Sequence, residues 1–178
     1  MSPEADFIEL LDDAEKNYPQ KLLQRVVSDL ILGQWTVSCA ESLTGGLLSE
    51  ALTRLAKSSN FFIGSVICYH PRIKVAAVGV DPAILSKFGV VSAAVAEAMA
   101  AGIAKRFNTR IGLATTGVAG PDTLNGAPVG TVFVGLSIDG KPKTQRLDLK
   151  GDRQEIRQAA VLQALRMLAE SLSTSAAL

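Results

Sequence analysis

The sequence is poor in the residues that build metal sites, disulfides and histidine-based catalytic centres. Its 178 residues include one histidine, His70, and two cysteines, Cys39 and Cys68. An HExxH zinc site needs a second histidine, and a CxxC motif needs two cysteines close together in sequence. We therefore expect no metal and no cofactor, and a serine–histidine–aspartate triad would have to use His70. Serine, threonine, tyrosine, lysine and the carboxylates remain for catalysis.

Net charge and long apolar runs are equally scarce. The chain carries 18 Lys and Arg residues against 17 Asp and Glu residues, which argues against a protein that binds nucleic acid mainly through charge. No stretch approaches the roughly 18 consecutive apolar residues of a transmembrane helix. The acidic start, Met1 to Asp6, lacks the basic and apolar regions of a signal peptide. We expect a cytoplasmic protein with neither nucleic-acid nor membrane partners.

Length and composition predict one globular domain over residues 1–178. Apolar residues make up 48% of the chain and charged residues 20%, as in ordinary globular proteins. We expect a core from about residue 26 to residue 172, with two N-terminal helical pieces within 3–33 packed on it. Pro19 separates these pieces, because proline lacks a backbone N–H and disfavours a helical conformation at Tyr18.

Alternating strand-like and helical segments predict the fold class. Strand-like runs cover 35–40, 61–69 and 111–115, and the first two are each followed by a loop and a helical segment. Apolar residues then alternate from Val132 to Ile138, Asp139-Gly140 favours a type I′ turn, and the alternation resumes at Gln145. We predict an α/β fold, a three-layer α/β/α sandwich whose mixed sheet includes one β-hairpin.

Helix boundaries are predicted from capping residues. Ser92 is expected to cap a helix with Val95, Met99, Ile103 and Phe107 on one face, and Asp152 with Glu155 reads as a capping box. Proline at a first helical position predicts further helix starts at Pro71 and Pro82.

Ligands bind α/β sheets of this kind beyond the carboxyl ends of the strands, so three loops become candidates for a site. They are 41–46, 70–74 and 116–128.

The first loop, Glu41-Ser-Leu-Thr-Gly-Gly46, follows a strand and opens a helix. Glycines allow close backbone approach, and helix N–H groups can bind a phosphate or carboxylate. The other interpretation is a tight strand-to-helix turn that Thr44 caps. The loop lacks the Gly-Lys-Ser/Thr of a Walker A motif, and no two glycines have the spacing that begins a Rossmann fingerprint.

The second and third loops also carry reactive or flexible residues. Tyr69 stands at a strand end, and Lys74 lies in the first turn of a helix. A partly buried lysine at this position has a lowered pKa. In its neutral form it can act as a base toward serine. The plainer interpretation makes Lys74 a solvated surface residue and His70 a helix cap. The third loop, 116–121, either lines a pocket with backbone donors or is an ordinary Gly-Pro turn.

Several short motifs in a fixed order resemble one known family. They are Ala40-Glu-Ser-Leu-Thr-Gly-Gly46, Ser58-Ser59, Tyr69 with Lys74, Gly89-Val-Val-Ser92, Thr116-Gly-Val-Ala-Gly-Pro121, Pro128-Val-Gly-Thr131 and Gly151-Asp-Arg153. Together they resemble the C-terminal domain of the competence/damage-inducible protein CinA, which also occurs alone as nicotinamide-nucleotide amidase. The similarity extends from about Val26 to Leu172.

The resemblance implies an activity and a set of site residues. The family hydrolyses the carboxamide of nicotinamide mononucleotide to nicotinate mononucleotide and ammonia without a metal. By analogy Ser59 attacks the amide, Lys74 takes its proton, and Tyr69 orients Lys74 or relays the proton. Substrate-binding residues are expected in the two glycine-containing loops; they are Glu41, Ser42, Thr44, Gly45, Gly46, Thr116, Gly117 and Gly120. A homodimer or higher homo-oligomer is also implied. The chain departs from the family's usual residues at Leu43 and at His70-Pro71.

The spacing of the implied catalytic residues raises a geometric question. Ten residues of straight strand span about 33 Å, so Ser59 and Tyr69 could not meet along a single strand. We expect a chain reversal near Gly64, and the alternative is that Ser59 meets Lys74 of a second subunit. If the pair fails, Ser42 is the next nucleophile to test.

Two other functions fit the same sequence. One is a catalytically silent nucleotide-binding or regulatory paralogue, and the other is an amidase for a different small amide. Ammonia release from nicotinamide mononucleotide distinguishes the enzyme from the paralogue. A substrate panel distinguishes the two amidases.

Overall fold

A computed structural model describes residues 19–175 of the chain. The strands are β1 (Val37–Glu41), β2 (Phe62–Ile67), β3 (Ile111–Gly117), β4 (Thr131–Ile138) and β5 (Lys141–Asp148). The helices are α1 (Gln20–Leu32), α2 (Leu47–Thr53), α3 (Pro71–Val78), α4 (Pro82–Phe88), α5 (Ala93–Phe107) and α6 (Arg153–Ser175). A single 3₁₀ turn, Ser58–Asn60, precedes β2. The first predicted helical piece lies outside the described residues, and α1 begins directly after Pro19.

The five strands form one mixed sheet in the order β2-β1-β3-β4-β5. Strand β1 lies between β2 and β3 and is parallel to both. Strand β4 is antiparallel to β3 and to β5. The predicted hairpin is confirmed: Asp139 and Gly140 connect β4 to β5 with positive φ angles of 48° and 79°, as a type I′ turn requires.

Helices cover both faces of the sheet. On one face α1, α2 and α6 bury a core with inward residues of β1, β3 and β4, such as Val37, Leu113 and Val134. On the other face α3 and α5 bury a second cluster that includes Val78, Met99 and Ala114. Adjacent residues of a strand point to opposite faces, which is why Leu113 and Ala114 belong to different clusters. The predicted three-layer sandwich is confirmed.

Helix α5 lies unusually close to the strands beneath it. A Cβ atom at Gly112 of β3 would overlap the carbonyl oxygen of Ala100, and one at Gly135 of β4 would overlap that of Ala96. Only glycine permits this approach. The helix that carries Met99 is therefore held tightly against the sheet.

The predicted capping residues act as expected. Ser92 Oγ accepts a hydrogen bond from the Val95 N–H of α5 at 3.3 Å. Asp152 Oδ1 accepts from the Glu155 N–H at 2.9 Å, and Glu155 Oε2 accepts from the Asp152 N–H at 2.6 Å, which completes the capping box of α6. Helix α6 buries Val161, Leu165, Leu168 and Leu172, as predicted.

Candidate functional site

All three candidate loops contribute to one cavity at the carboxyl ends of β1, β2 and β3. Its volume is about 390 Å³, and its wall includes Ser42, Leu43, Tyr69, His70, Lys74, Thr116 and Gly117. That size lies in the range of small-molecule sites, about 300–1,000 Å³. The position beyond the strand ends agrees with the sequence prediction.

Lys74 lines this cavity although only 1% of its surface is exposed. It lies in α3, which begins at Pro71 and is capped by His70, whose Nδ1 accepts from the Arg72 N–H at 3.2 Å. Burial lowers the pKa of Lys74 to about 8, and the nearby Cys68 opposes that shift. The predicted lowering is thus present, and Lys74 is not a solvated surface residue.

Tyr69 joins the cavity wall to α6 through Arg153. The Arg153 guanidinium donates to the Tyr69 hydroxyl oxygen at 2.8 Å and to the Gly120 carbonyl at 2.5 Å. Arg153 also lines the cavity, a role that the sequence analysis missed. The Gly151-Asp-Arg153 motif is the sequence feature that could have indicated this role. The side chain therefore connects the second loop to the third.

The anion site predicted at the first loop needs correction, because a carboxylate of the chain occupies it. Glu41 is fully buried, and its Oε2 accepts from the N–H groups of Gly46 at 2.9 Å and Leu48 at 3.1 Å. Its Oε1 accepts from the Ser49 N–H at 2.9 Å and from the Ser49 hydroxyl. The N-terminus of α2 thus already binds the Glu41 carboxylate through these N–H groups.

Thr44, predicted as a substrate ligand or a helix cap, is instead part of this buried network. Its hydroxyl donates to Glu41 Oε2 at 2.8 Å, so in the 2.7 Å contact with Thr115 it acts as the acceptor. Gly46 occupies the capping position of α2 with a φ of 105°. Arg157 holds the loop from outside by donating to the Leu43 and Thr44 carbonyls at 2.9 and 2.8 Å.

The predicted substrate residues therefore divide into two groups. Ser42, Thr116 and Gly117 belong to the cavity wall, whereas Glu41, Thr44, Gly45, Gly46 and Gly120 do not. Thr116 is 1% exposed, and its hydroxyl donates to the Val90 carbonyl at 2.8 Å, which fixes the segment before α5 against the cavity. Val90 and Val91 belong to the wall as well and were not predicted.

Ser59 lies at the opposite end of β2 from Lys74, which overturns the predicted chain reversal. Residues Phe62–Ile67 form one strand, and after a register shift Gly64 pairs with Ser38 of the parallel β1. Six residues of strand span about 20 Å. The exposed Ser59 precedes this strand and Lys74 follows it, so a single chain does not bring the two side chains together.

Two kinds of structural feature are absent from residues 19–175. No group of three or more His, Cys, Asp or Glu side chains there is arranged to hold a metal ion. None of the helices in that range is long and apolar enough to cross a membrane.

Comparison with known proteins gives one consistent result. The family described as CinA C-terminal domain matches residues 19–172. A putative competence-damage inducible protein of Lactiplantibacillus plantarum is 38% identical over 153 residues, which cover 85% of this chain and 36% of that protein. A CinA-like protein of Kosmotoga olearia is 44% identical over 77% of this chain and 34% of its own length. The chain thus spans about a third of the length of the curated relatives it matches.

Solved structures resemble the whole fold. A CinA superfamily protein of Klebsiella pneumoniae superposes with a TM-score of 0.84 at 32% identity, covering 86% of this chain and 97% of that one. The competence/damage inducible protein CihA of Agrobacterium tumefaciens gives 0.82 at 34% identity, covering 88% and 98%.

Proposed function

Because the chain belongs to the CinA C-terminal domain family, we propose that it is an amidohydrolase that deamidates nicotinamide mononucleotide, with Ser42 as nucleophile and Lys74 as base. One observation carries the choice of residues: a serine and a buried lysine line the same cavity of one chain. A lysine whose pKa is lowered to about 8 has a substantial neutral fraction near physiological pH. The neutral amine can accept the proton of a serine hydroxyl.

The reaction needs two transfers of the acyl group. Lys74 takes the proton of Ser42 as Oγ attacks the carboxamide carbon, and the resulting ammonium returns a proton to the departing nitrogen, so that ammonia leaves and a nicotinoyl ester remains on Ser42. Water then attacks this ester, again with Lys74 as the base. Nicotinate mononucleotide leaves, and the Ser42 hydroxyl is restored.

The mouth of the cavity supports an anionic, sugar-containing substrate. Arg153 and His70 line the cavity and can donate to a phosphate, and Arg153 uses only part of its five N–H donors on Tyr69 and Gly120. Thr116 and Gly117 lie deeper, where they can contact the ribose or the amide. We therefore assign the phosphate to the second loop and α6 rather than to the N-terminus of α2.

Ammonia release with purified protein tests the proposal. Ser42→Ala and Lys74→Met should each reduce turnover of nicotinamide mononucleotide by at least about a hundredfold. Ser59→Ala is the matched control, a serine of the same chain at the other end of β2, and should retain activity. Mass spectrometry of a quenched reaction should find the nicotinoyl ester on Ser42.

The other outcomes identify the competing functions. Loss of activity in Ser59→Ala but not in Ser42→Ala would mean that a second subunit supplies the nucleophile. Binding of the nucleotide without ammonia release would indicate a regulatory paralogue. Faster turnover of an amide that lacks a phosphate would indicate an amidase with another substrate.

Self-association belongs to the proposal as well. Strand β2 is an edge of the sheet, and its Ile63 and Ile67 are 49% and 51% exposed. Exposed apolar side chains on an unpaired edge favour contact with another chain. Light scattering should find a homodimer or larger assembly, and Ile67→Lys should shift it toward the monomer. A wild-type mass equal to one chain would contradict this part of the proposal.

A further inference from the structure

The environment of Lys74 contains a partner that the reaction scheme does not use. Among the described residues, the hydrogen-bond acceptor that the structure gives the Lys74 amine is Met99 Sδ, at 3.6 Å. Met99 is fully buried in α5, on the face that carries Val95 and Ile103. The backbone of α5 packs closely on β3 and β4, and Lys74 reaches the buried sulfur from α3.

A thioether is an unusual partner for a buried ammonium group. Methionine sulfur is a weak acceptor without charge, whereas buried lysines ordinarily find a carboxylate or several carbonyl oxygens. A carboxylate at this place would hold the proton on Lys74 and remove its use as a base. The sulfur orients the amine without doing so.

We propose that Met99 is the positioning residue for Lys74: its sulfur holds the amine at the floor of the cavity while leaving it able to give up its proton. The inference deepens the proposed function, because the amine that Met99 holds is the proposed base.

Other titratable groups on the surrounding elements do not replace Met99. Cys68, just after β2, favours the ammonium form of Lys74, but burial raises the pKa of its thiol, and that thiol donates to the Val66 carbonyl at 3.6 Å. Glu41 is engaged with α2 on the other face of the sheet. Four other groups lie on these elements. Tyr69 accepts from Arg153, and Glu97 of α5 accepts from Thr144 of β5. His70 caps α3, and Arg72 at the start of α3 is exposed.

Two substitutions with opposite effects test the inference. Met99→Leu keeps the volume and removes the acceptor, so the acidic limb of the kcat/KM profile should move to lower pH by about half a unit. Met99→Gln supplies an amide oxygen, which binds the ammonium form better, so the limb should move to higher pH by about one unit. Loss of packing alone would lower activity in both variants without moving the limb in opposite directions.

A readout that does not depend on activity completes the experiment. The Lys74 side-chain resonance, assigned by its absence in Lys74→Met, is titrated by nitrogen-detected NMR in the full chain. Its midpoint should move down in Met99→Leu and up in Met99→Gln relative to the unmodified protein. Ile103→Leu, one turn further along the same face, is the matched control and should leave it unchanged.

The outcomes separate this inference from the proposed function. Identical Lys74 midpoints in all variants would overturn the positioning role, whatever the activities. Opposite shifts of the midpoint in a protein that releases no ammonia would support the role of Met99 and contradict the proposed function. Should Met99→Gln fail to fold, Met99→Leu against Ile103→Leu still decides the question.

Discussion

Two ionisable side chains are buried close to the carboxyl ends of the parallel strands, and the structure treats them in opposite ways. Glu41 is the last residue of β1 and is surrounded by donors, three backbone N–H groups and two hydroxyls. Lys74 follows β2 and has the weak sulfur acceptor of Met99. Glu41 holds a loop and a helix together, whereas Lys74 faces a cavity.

The difference separates a structural ionisable group from one that is suited to act as a base. A buried charge that is fully hydrogen-bonded stabilises the elements that it joins, and removing it leaves several unsatisfied donors. A buried amine with little support for its charge loses its proton more readily and becomes a candidate base. The sequence motif around Glu41 is richer in glycine and hydroxyl residues, yet the proposed base is Lys74 of the less distinctive second loop.

The largest expected effect is the loss of activity when Lys74, the proposed base, is removed. Lys74→Met should lower kcat/KM for nicotinamide mononucleotide by on the order of a thousandfold, because the proposed general base is lost. Its free energy of unfolding at neutral pH should not fall, since the variant no longer buries an unpaired charge. Ammonia assays and urea unfolding measure the two quantities. A Lys74→Met protein that unfolds easily would place the lysine with Glu41 as a structural residue.

Removing the Glu41 carboxylate should have the opposite result, a large loss of unfolding free energy. Glu41→Ala leaves the donors of α2 and Thr44 without an acceptor and should cost about 3–5 kcal/mol of unfolding free energy. Glu41→Gln keeps one acceptor oxygen and should cost less. Urea unfolding monitored by circular dichroism checks both variants. A stable Glu41→Ala protein that has lost activity would make Glu41 a substrate ligand, as the family resemblance implies.

The pH dependence of stability sharpens the comparison further. The pKa of Lys74 is about 8 in the folded chain against an ordinary value of 10.5, so between these pH values the unfolded chain binds the additional proton. The unfolding free energy contributed by Lys74 should therefore rise from pH 8 to pH 10.5, by roughly 3 kcal/mol. The measured quantity is the difference between the parent protein and Lys74→Met across this range. A constant difference would contradict the lowered pKa.

The smallest effect concerns the helix that presents Lys74. His70→Ala removes the acceptor for the Arg72 N–H and should cost about 1 kcal/mol, whereas His70→Asn supplies another capping oxygen and should cost almost nothing. Thermal unfolding of both variants checks this. Equal destabilisation by alanine and asparagine would show that the cap does not determine how firmly α3 holds the lysine.

Much of the fold could be predicted from short-range patterns. The Ser92 cap, the Asp152–Glu155 box and the Asp139-Gly140 turn all depend on atoms within a few residues of one another. The site could be predicted only as a set of loops. The resemblance to the family implies Ser59, but β2 pairs with β1 along its length, with one register shift, and places Ser59 at the opposite end of the strand from Lys74 of the same chain.

By itself, the sequence determined the secondary structure, the sandwich and the loops that surround the cavity, because hydrophobic periodicity and capping are local properties. Only the tertiary structure decided what the buried side chains do. The Glu41 carboxylate turns to α2, Lys74 meets Met99 from 25 residues away, and Arg153 links Tyr69 to the third loop. Such partners depend on strand order and helix approach, which bring together atoms that no local pattern relates.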